Sequence, residues 1–521
     1  MVVFSSFRAT ASFILCILPS ILLTQVACPS QAAKVPLSDL SHVLEKARIS
    51  TGLPGMSIAI LYKGKLIFAE GFGKRNERDP YTVETVQPMG SLTKAFTAAA
   101  IGELVAEGKM DWDTTPVARY LPEFELEDPV LTSQLTNIDL LSHRAGMPNI
   151  DFAWYRTNTT RRDLIKRLKH VKLDSKLRTA SQYSNVMYTV AGEAAANVAG
   201  TTYEKLVEEK ILKPLGLDHT GFGPVEMSKR FKNYAIPYNA ASYEDAQMGK
   251  FILGYVDPIY LSEAPAGDIH SNVLDLVRWG RVVMQSGQVD GKQVLNKTSV
   301  DQLIVGYTFM TGSRRTPEFA PVQAYGMGWM PDSYKGKNYF WHDGGISGYR
   351  SNLVIFPDED LVIAHATNVK VAELLPNIPF YIADELFGLP KTQDWLAVSA
   401  RNAKAQYNDL KTVRDGIFPE QIKGTSPSLD LEEYVGTYTN AVYGEGSVLL
   451  ESGSLHFKYN MVDAKMEHYH YDSFKTELAD FYVQMTPLAT FSLGDDERVS
   501  GFQMEVMGLL IHFTKVATPT V

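Results

Sequence analysis

Ser91-Leu92-Thr93-Lys94 places a hydroxyl and an amine three residues apart, and a helix would put both on one face. A serine hydroxyl is a poor nucleophile until a neighbouring base takes its proton. A lysine can be that base if burial lowers its pKa. Tyr183-Ser184-Asn185 and His342-Asp343-Gly344 follow in the chain and add a phenol, an amide and an imidazole. Each triplet by itself also fits surface or packing chemistry, and Tyr438-Thr439-Asn440 repeats the Y-x-N pattern. The ordered set, on three widely separated stretches, is the informative signal. It reads as nucleophilic catalysis by Ser91, with Lys94 as general base and Tyr183 as a second proton carrier whose pKa the nearby amine would lower. Lys94 and Tyr183 are treated as a coupled pair. Asn185 would hydrogen-bond a substrate amide or hold Lys94, the plainer alternative being a helix cap.

Residues 91–107 must form a helix that is apolar on most sides and therefore buried, with Gly108 at its end. That burial is what would draw Lys94 out of water. A second helix is predicted from Val186 to Val198, after Tyr183, and a third from Val273 to Gln285. Met56 to Leu61 and Leu66 to Phe72 flank Lys63-Gly64-Lys65 and read as a hairpin. Tyr349 to Phe356 and Leu361 to Thr367 are strand-like runs separated by a Pro-Asp turn. Strands near both ends with helices between them give an α+β class: an antiparallel sheet with helical layers. Residues 391–428 read as a polar helix and linker, and 429–521 as short strands with turns.

These motifs resemble those of the serine β-lactamase and penicillin-binding-protein superfamily, in particular the branch with class C β-lactamases, esterases, D-aminopeptidases and animal β-lactamase-like proteins. Leu140-Leu141-Ser142-His143-Arg144-Ala145-Gly146-Met147-Pro148, Pro265-Ala266-Gly267-Asp268 and Tyr325-Gly326-Met327-Gly328-Trp329 are similar to further family segments. The resemblance covers roughly residues 37–390 and implies the β-lactamase/transpeptidase-like fold. It also implies a two-step reaction through an acylated Ser91, an oxyanion hole from the N–H groups of Ser91 and Gly345, and no cofactor. Leu431 to Tyr438 looks like the start of the lipocalin-like β-domain that follows some members. His342 stands where the family has lysine or histidine on a strand lining the cleft, and Gly344 would let substrate lie close to that strand. Asp343 is a departure, because many penicillin-recognising members carry threonine or serine there. If it faces the cleft it repels anionic substrates and favours neutral esters or amides, or substrates with a free amine. Strand alternation could equally turn it away. Fold alone does not give substrate.

A chain of 521 residues is too long for one ordinary domain, and 45% apolar residues allow a large core. A net charge of −9 argues against nucleic acid or polybasic membrane binding. Residues 1–28 read as a secretory signal, with Arg8 ahead of an apolar core and small residues after it, so the protein is expected outside the cell or in a periplasm. An uncleaved anchor is the competing reading. Cys16 and Cys28 are the only cysteines, which leaves no internal disulfide in a processed chain. Its 11 histidines show no metal-binding spacing. Asn158 and Asn296 open glycosylation sequons. Three function classes follow: a secreted serine hydrolase acting on esters, amides or small peptides; a non-enzymatic secreted or extracellular-matrix protein that keeps the fold; or a β-lactamase.

Overall fold

The computed structural model describes residues 37–157, 159–257, 261–310, 316–479 and 484–517. The expected signal segment, both cysteines and Asn158 lie outside the described residues.

Six strands form one antiparallel sheet: β1 (Gly55–Tyr62), β2 (Lys65–Gly73), β3 (Met330–Tyr334), β4 (Lys337–Ile346), β5 (Tyr349–Phe356) and β6 (Leu361–Thr367). Their order is β3-β4-β5-β6-β1-β2, so chain-terminal β1 pairs with late β6. The predicted hairpin and the β5–β6 pair are both present. The central strands β1, β5 and β6 are buried almost throughout because both sheet faces are covered there. Met56, Ile58 and Ile60 pack with Leu40, Leu44, Ile378 and Ile382 from the helices Leu37–Ser50 and Ile378–Phe387. Ala59, Leu61, Leu353 and Val362 pack on the opposite side with Leu276, Val277 and Trp279 of the Val273–Met284 helix. Period-2 alternation thus sends each strand's neighbours into two different cores.

Between β2 and β3 the chain is mostly helical. The predicted helix at 91–107 is a short 3-10 turn, Gly90–Leu92, running into an α-helix, Thr93–Ala106. All but three of that helix's residues are buried, and its Phe96 ring stacks on Trp279 at 4.6 Å. The helix after Tyr183 spans Asn185–Ala199 and is equally buried along most of its length. Gly328, within the Tyr325–Trp329 motif, lies so close to the backbone of Lys94 and Ala95 that a Cβ there would come within 2.7 Å.

After the Trp395–Asp415 helix, eight strands between Gly436 and Lys515 pair successively, and Val462–His470 closes on Ser473–Ala479 to complete a barrel. Closure removes the exposed edges that short strands otherwise present. Gln484–Met485 adds a short strand to the end of Ser473–Ala479. The barrel is lipocalin-like and its core is aromatic, with Tyr438, Phe457, Phe491, Phe502 and Phe513 in mutual ring contact. No described helix is long and apolar enough to cross a membrane.

Candidate active site

The turn that carries Ser91 is pinned from three directions. Met89 N–H donates to the Ile269 carbonyl (2.7 Å), and the Met89 carbonyl accepts from the Ser351 hydroxyl (2.7 Å). The Thr93 hydroxyl donates to the Gly90 carbonyl (2.7 Å) and accepts from Ile269 N–H (3.0 Å). Gly90 sits at φ +57°, and a Cβ there would fall 2.7 Å from the Gly345 nitrogen. The Ser91 turn and strand β4 are therefore in direct backbone contact.

Ser91 Oγ lies 3.0 Å from Lys94 Nζ and accepts from the Tyr183 hydroxyl at 2.8 Å. Lys94 is wholly buried and also reaches Asn185 Oδ1 (2.7 Å) and the Ala266 carbonyl (2.9 Å). Burial lowers its pKa to about 7, against the opposing pull of Glu263, Asp151 and Asp343. A neutral amine has two N–H groups and one lone pair. Asn185 Oδ1 and the Ala266 carbonyl can only accept, so they take the two N–H groups and leave the lone pair facing the Ser91 hydroxyl. Asn185 is the first residue of its helix, and its side chain is spent on Lys94 and on Asp151 (3.0 and 3.2 Å) rather than on a cap.

Two expectations are corrected here. Burial holds the Tyr183 phenol well above the ordinary range, so Tyr183 stays protonated and donates. His342 is buried, and burial lowers its pKa to about 4 despite the adjacent Asp343. Its Nδ1 contacts the Asp343 carbonyl (2.6 Å) and its Nε2 the Tyr325 hydroxyl (2.8 Å), which holds it as a neutral ring between two partners. Gly344 has a different purpose from the one expected: a Cβ there would lie 1.8 Å from the Met89 carbonyl oxygen, so its missing side chain admits the Ser91 loop. Asp343 is solvent-exposed and lies on the same strand face as Gly345, which lines the cavity beside Ser91, and its charge favours protonated Lys94. Asn296 is exposed and its side chain caps the Lys297–Leu303 helix.

Sequence reasoning missed several residues. A cavity of 190 Å³ opens beside Ser91, lined among others by Asp151, Arg156, Asp257, Glu263 and Gly345. Asp151 accepts from Asn185 and from the Trp154 indole (3.1 Å), and Glu263 is buried. His143 takes Ser184 N–H on its Nδ1 (3.1 Å) and packs its ring, tilted, 4.2 Å from that of Tyr183, so the Leu140–Pro148 motif is the seat on which Tyr183 is oriented. The barrel also reaches this wall. Tyr459 stacks on Phe152 at 4.7 Å, Asn460 donates to the Tyr155 carbonyl (3.1 Å) and Met461 N–H to the Arg156 carbonyl (3.2 Å). No local sequence signal marks a hairpin tip as the buttress of a distant cavity.

The sequence matches the Beta-lactamase family over residues 40–385. The chain belongs to the β-lactamase family. Residues 420–516 match a domain of unknown function, DUF3471. Among the relatives is "Unguisins hydrolase ungD'" of Aspergillus campestris, 26% identical, with 79% of this chain and 77% of the relative covered. The octameric penicillin-binding protein homologue from Pyrococcus abyssi is similar in structure with a TM-score of 0.59 at 20% identity, covering 92% of this chain and all of that one. The D-amino acid amidase of Ochrobactrum anthropi gives a TM-score of 0.54 at 19% identity over 68% of this chain and all of that one. The fold is thus one shared with hydrolases, and the trio at Ser91 lies within the family-matched region.

Proposed function

We propose that the protein is a serine hydrolase that forms an acyl-enzyme on Ser91 and acts on esters, amides or small peptides. The observation that carries this reading is the placement of Ser91 Oγ within hydrogen-bond reach of both Lys94 Nζ and the Tyr183 hydroxyl. A family fold kept only for binding has no need of a buried lysine held by two acceptors.

In this mechanism neutral Lys94 takes the Ser91 proton as Oγ attacks the substrate carbonyl. The oxyanion is met by the N–H groups of Ser91 and Gly345, whose loop and strand touch through Gly90. Tyr183, kept as a phenol, gives its proton to the departing alcohol or amine and regains one from the Lys94 ammonium. The same pair then deprotonates the water that releases the acyl group, returning Ser91 to its starting state. The direct test is a fluorophosphonate probe followed by peptide mass spectrometry. The adduct is expected on the peptide containing Ser91, and a folded, unlabelled wild-type protein would count against the reading.

Asp343 bears on substrate choice. A buried carboxylate facing an incoming anion would cost several kcal/mol, but Asp343 is exposed and solvent screens it. Asp343→Thr is therefore expected to raise acylation by an anionic acyl donor relative to a neutral one by roughly two- to five-fold, more at low salt. An unchanged ratio of the two rates would remove Asp343 from substrate selection. Export is part of the same proposal: N-terminal sequencing of the extracellular protein is expected to start after residue 26 and before about residue 37, and recovery of Met1 there would contradict it.

A further inference from the structure

Glu263 is the least explained group near Ser91. It is 3% exposed, yet it forms no hydrogen bond or ion pair with any described residue and instead lines the cavity beside Ser91. A buried carboxylate with no hydrogen-bond donor among the described residues is costly, and such a group is retained where something else supplies the donor. Asp151 and Asp257 line the same cavity, and burial first, then the Asp151 charge, raises the proton affinity of Glu263 against the opposing pull of Lys94. Among the lining residues, Arg156 is the one cationic side chain, and it donates to the Tyr255 hydroxyl at 3.0 Å. The described lining thus carries three carboxylates against one guanidinium. At 190 Å³ it is smaller than the usual pocket for a drug-sized ligand. It suits a compact group close to the scissile carbonyl.

We propose that this cavity is a subsite for the primary ammonium group of an aminoacyl substrate, with Glu263 and Asp151 as its counter-charges. The assignment rests on the acyl-enzyme reading for the reaction that follows, but binding can be measured without turnover. The ammonium's N–H groups would meet the Glu263 carboxylate and the outward lone pairs of Asp151. Glu263 oxygens lie against Gly267, next to Ala266, whose carbonyl holds Lys94. The bound cation would thus sit beside the base, and by favouring the carboxylate charge itself it would relieve Lys94 of its need to stay protonated.

The test compares phenethylamine with its neutral isostere 2-phenylethanol as protectors of Ser91 against a fluorophosphonate probe near pH 7.5. Wild-type protein is expected to require at least ten-fold less amine than alcohol for half-protection. Glu263→Gln should cut that ratio at least five-fold, and Asp151→Asn should do so as a second variant if the first fails to fold. A role for Glu263 confined to the electrostatics of Lys94 would change the labelling rate for both compounds alike and leave the ratio intact, which would overturn the proposal. So would an amine that protects the wild type no better than the alcohol. If the probe never attaches to Ser91, the acyl-enzyme reading fails instead. Calorimetric titration of phenethylamine into wild type and variant still decides the subsite: Glu263-dependent binding supports it, and absent or unchanged binding refutes it.

Discussion

Ser91→Ala is expected to lower hydrolysis of any ester or amide substrate by ~10³-fold or more while the protein remains folded. The size follows from the loss of the covalent route, since no other hydroxyl is held by both Lys94 and Tyr183 among the described residues. The fold should tolerate the change. The Ser91 turn is held by the backbone of Met89 and Gly90 with Ser351, Thr93 and Ile269, and the Ser91 side chain takes no part in those bonds. The check is kcat/KM on purified wild type and variant, with thermal unfolding run alongside. A folded variant that keeps its rate would reassign the nucleophile.

Removing the base is expected to have a comparable effect with a different signature. Lys94→Met should cost roughly 10²- to 10⁴-fold in kcat/KM, the usual range for a positioned general base. Lys94→Arg should fare no better, because a guanidinium does not give up its proton at accessible pH. In the wild type the base works only when unprotonated. Its pKa is lowered to about 7, so log kcat/KM is expected to rise with unit slope below that pH and level off above it. At an ordinary lysine pKa only about one molecule in a thousand would hold the free amine near neutrality, so burial supplies most of the active population. The same shift has a stability sign. Unfolded Lys94 is charged below its ordinary pKa, whereas folded Lys94 is neutral down to about 7. Stability is therefore lost as pH falls across that window and levels off below it, by an amount on the order of a few kcal/mol. Lys94→Met should thus raise the unfolding temperature near pH 7 while abolishing activity. A pH profile without an acid limb near 7, or a Met variant that is both active and no more stable, would contradict the assignment. Asp343→Thr supplies an internal control, since removing a charge that favours protonated Lys94 should move the acid limb to lower pH.

The one-turn spacing of Ser91 and Lys94 and the apolar run behind them were legible because both are local. A 3.6-residue period places the two side chains together whatever the rest of the chain does, and an all-apolar helix has nowhere to go but inside. The two hairpins of the sheet were legible for the same reason, as β-branched runs around short turns. The convergence of Tyr183 and Asn185 on Ser91 was carried by resemblance, since nothing in a chain's local periodicity brings residues so far apart into contact. Tertiary structure alone decided the rest, and the common cause is burial. The nearby amine predicts a lowered Tyr183 pKa, but desolvation outweighs it and keeps the phenol protonated. The same penalty keeps His342 a neutral ring bonded to Tyr325. Gly344 reads as room for substrate until the Met89 carbonyl is seen to occupy that room. Asp151 and Glu263 belong to no motif, because an acidic residue in a loop is ordinarily solvated. Only the packing of the Asn185–Ala199 helix, the 261–267 segment and the Ser91 turn around one cavity makes Glu263 a buried carboxylate and Asp151 a half-buried one beside a nucleophile.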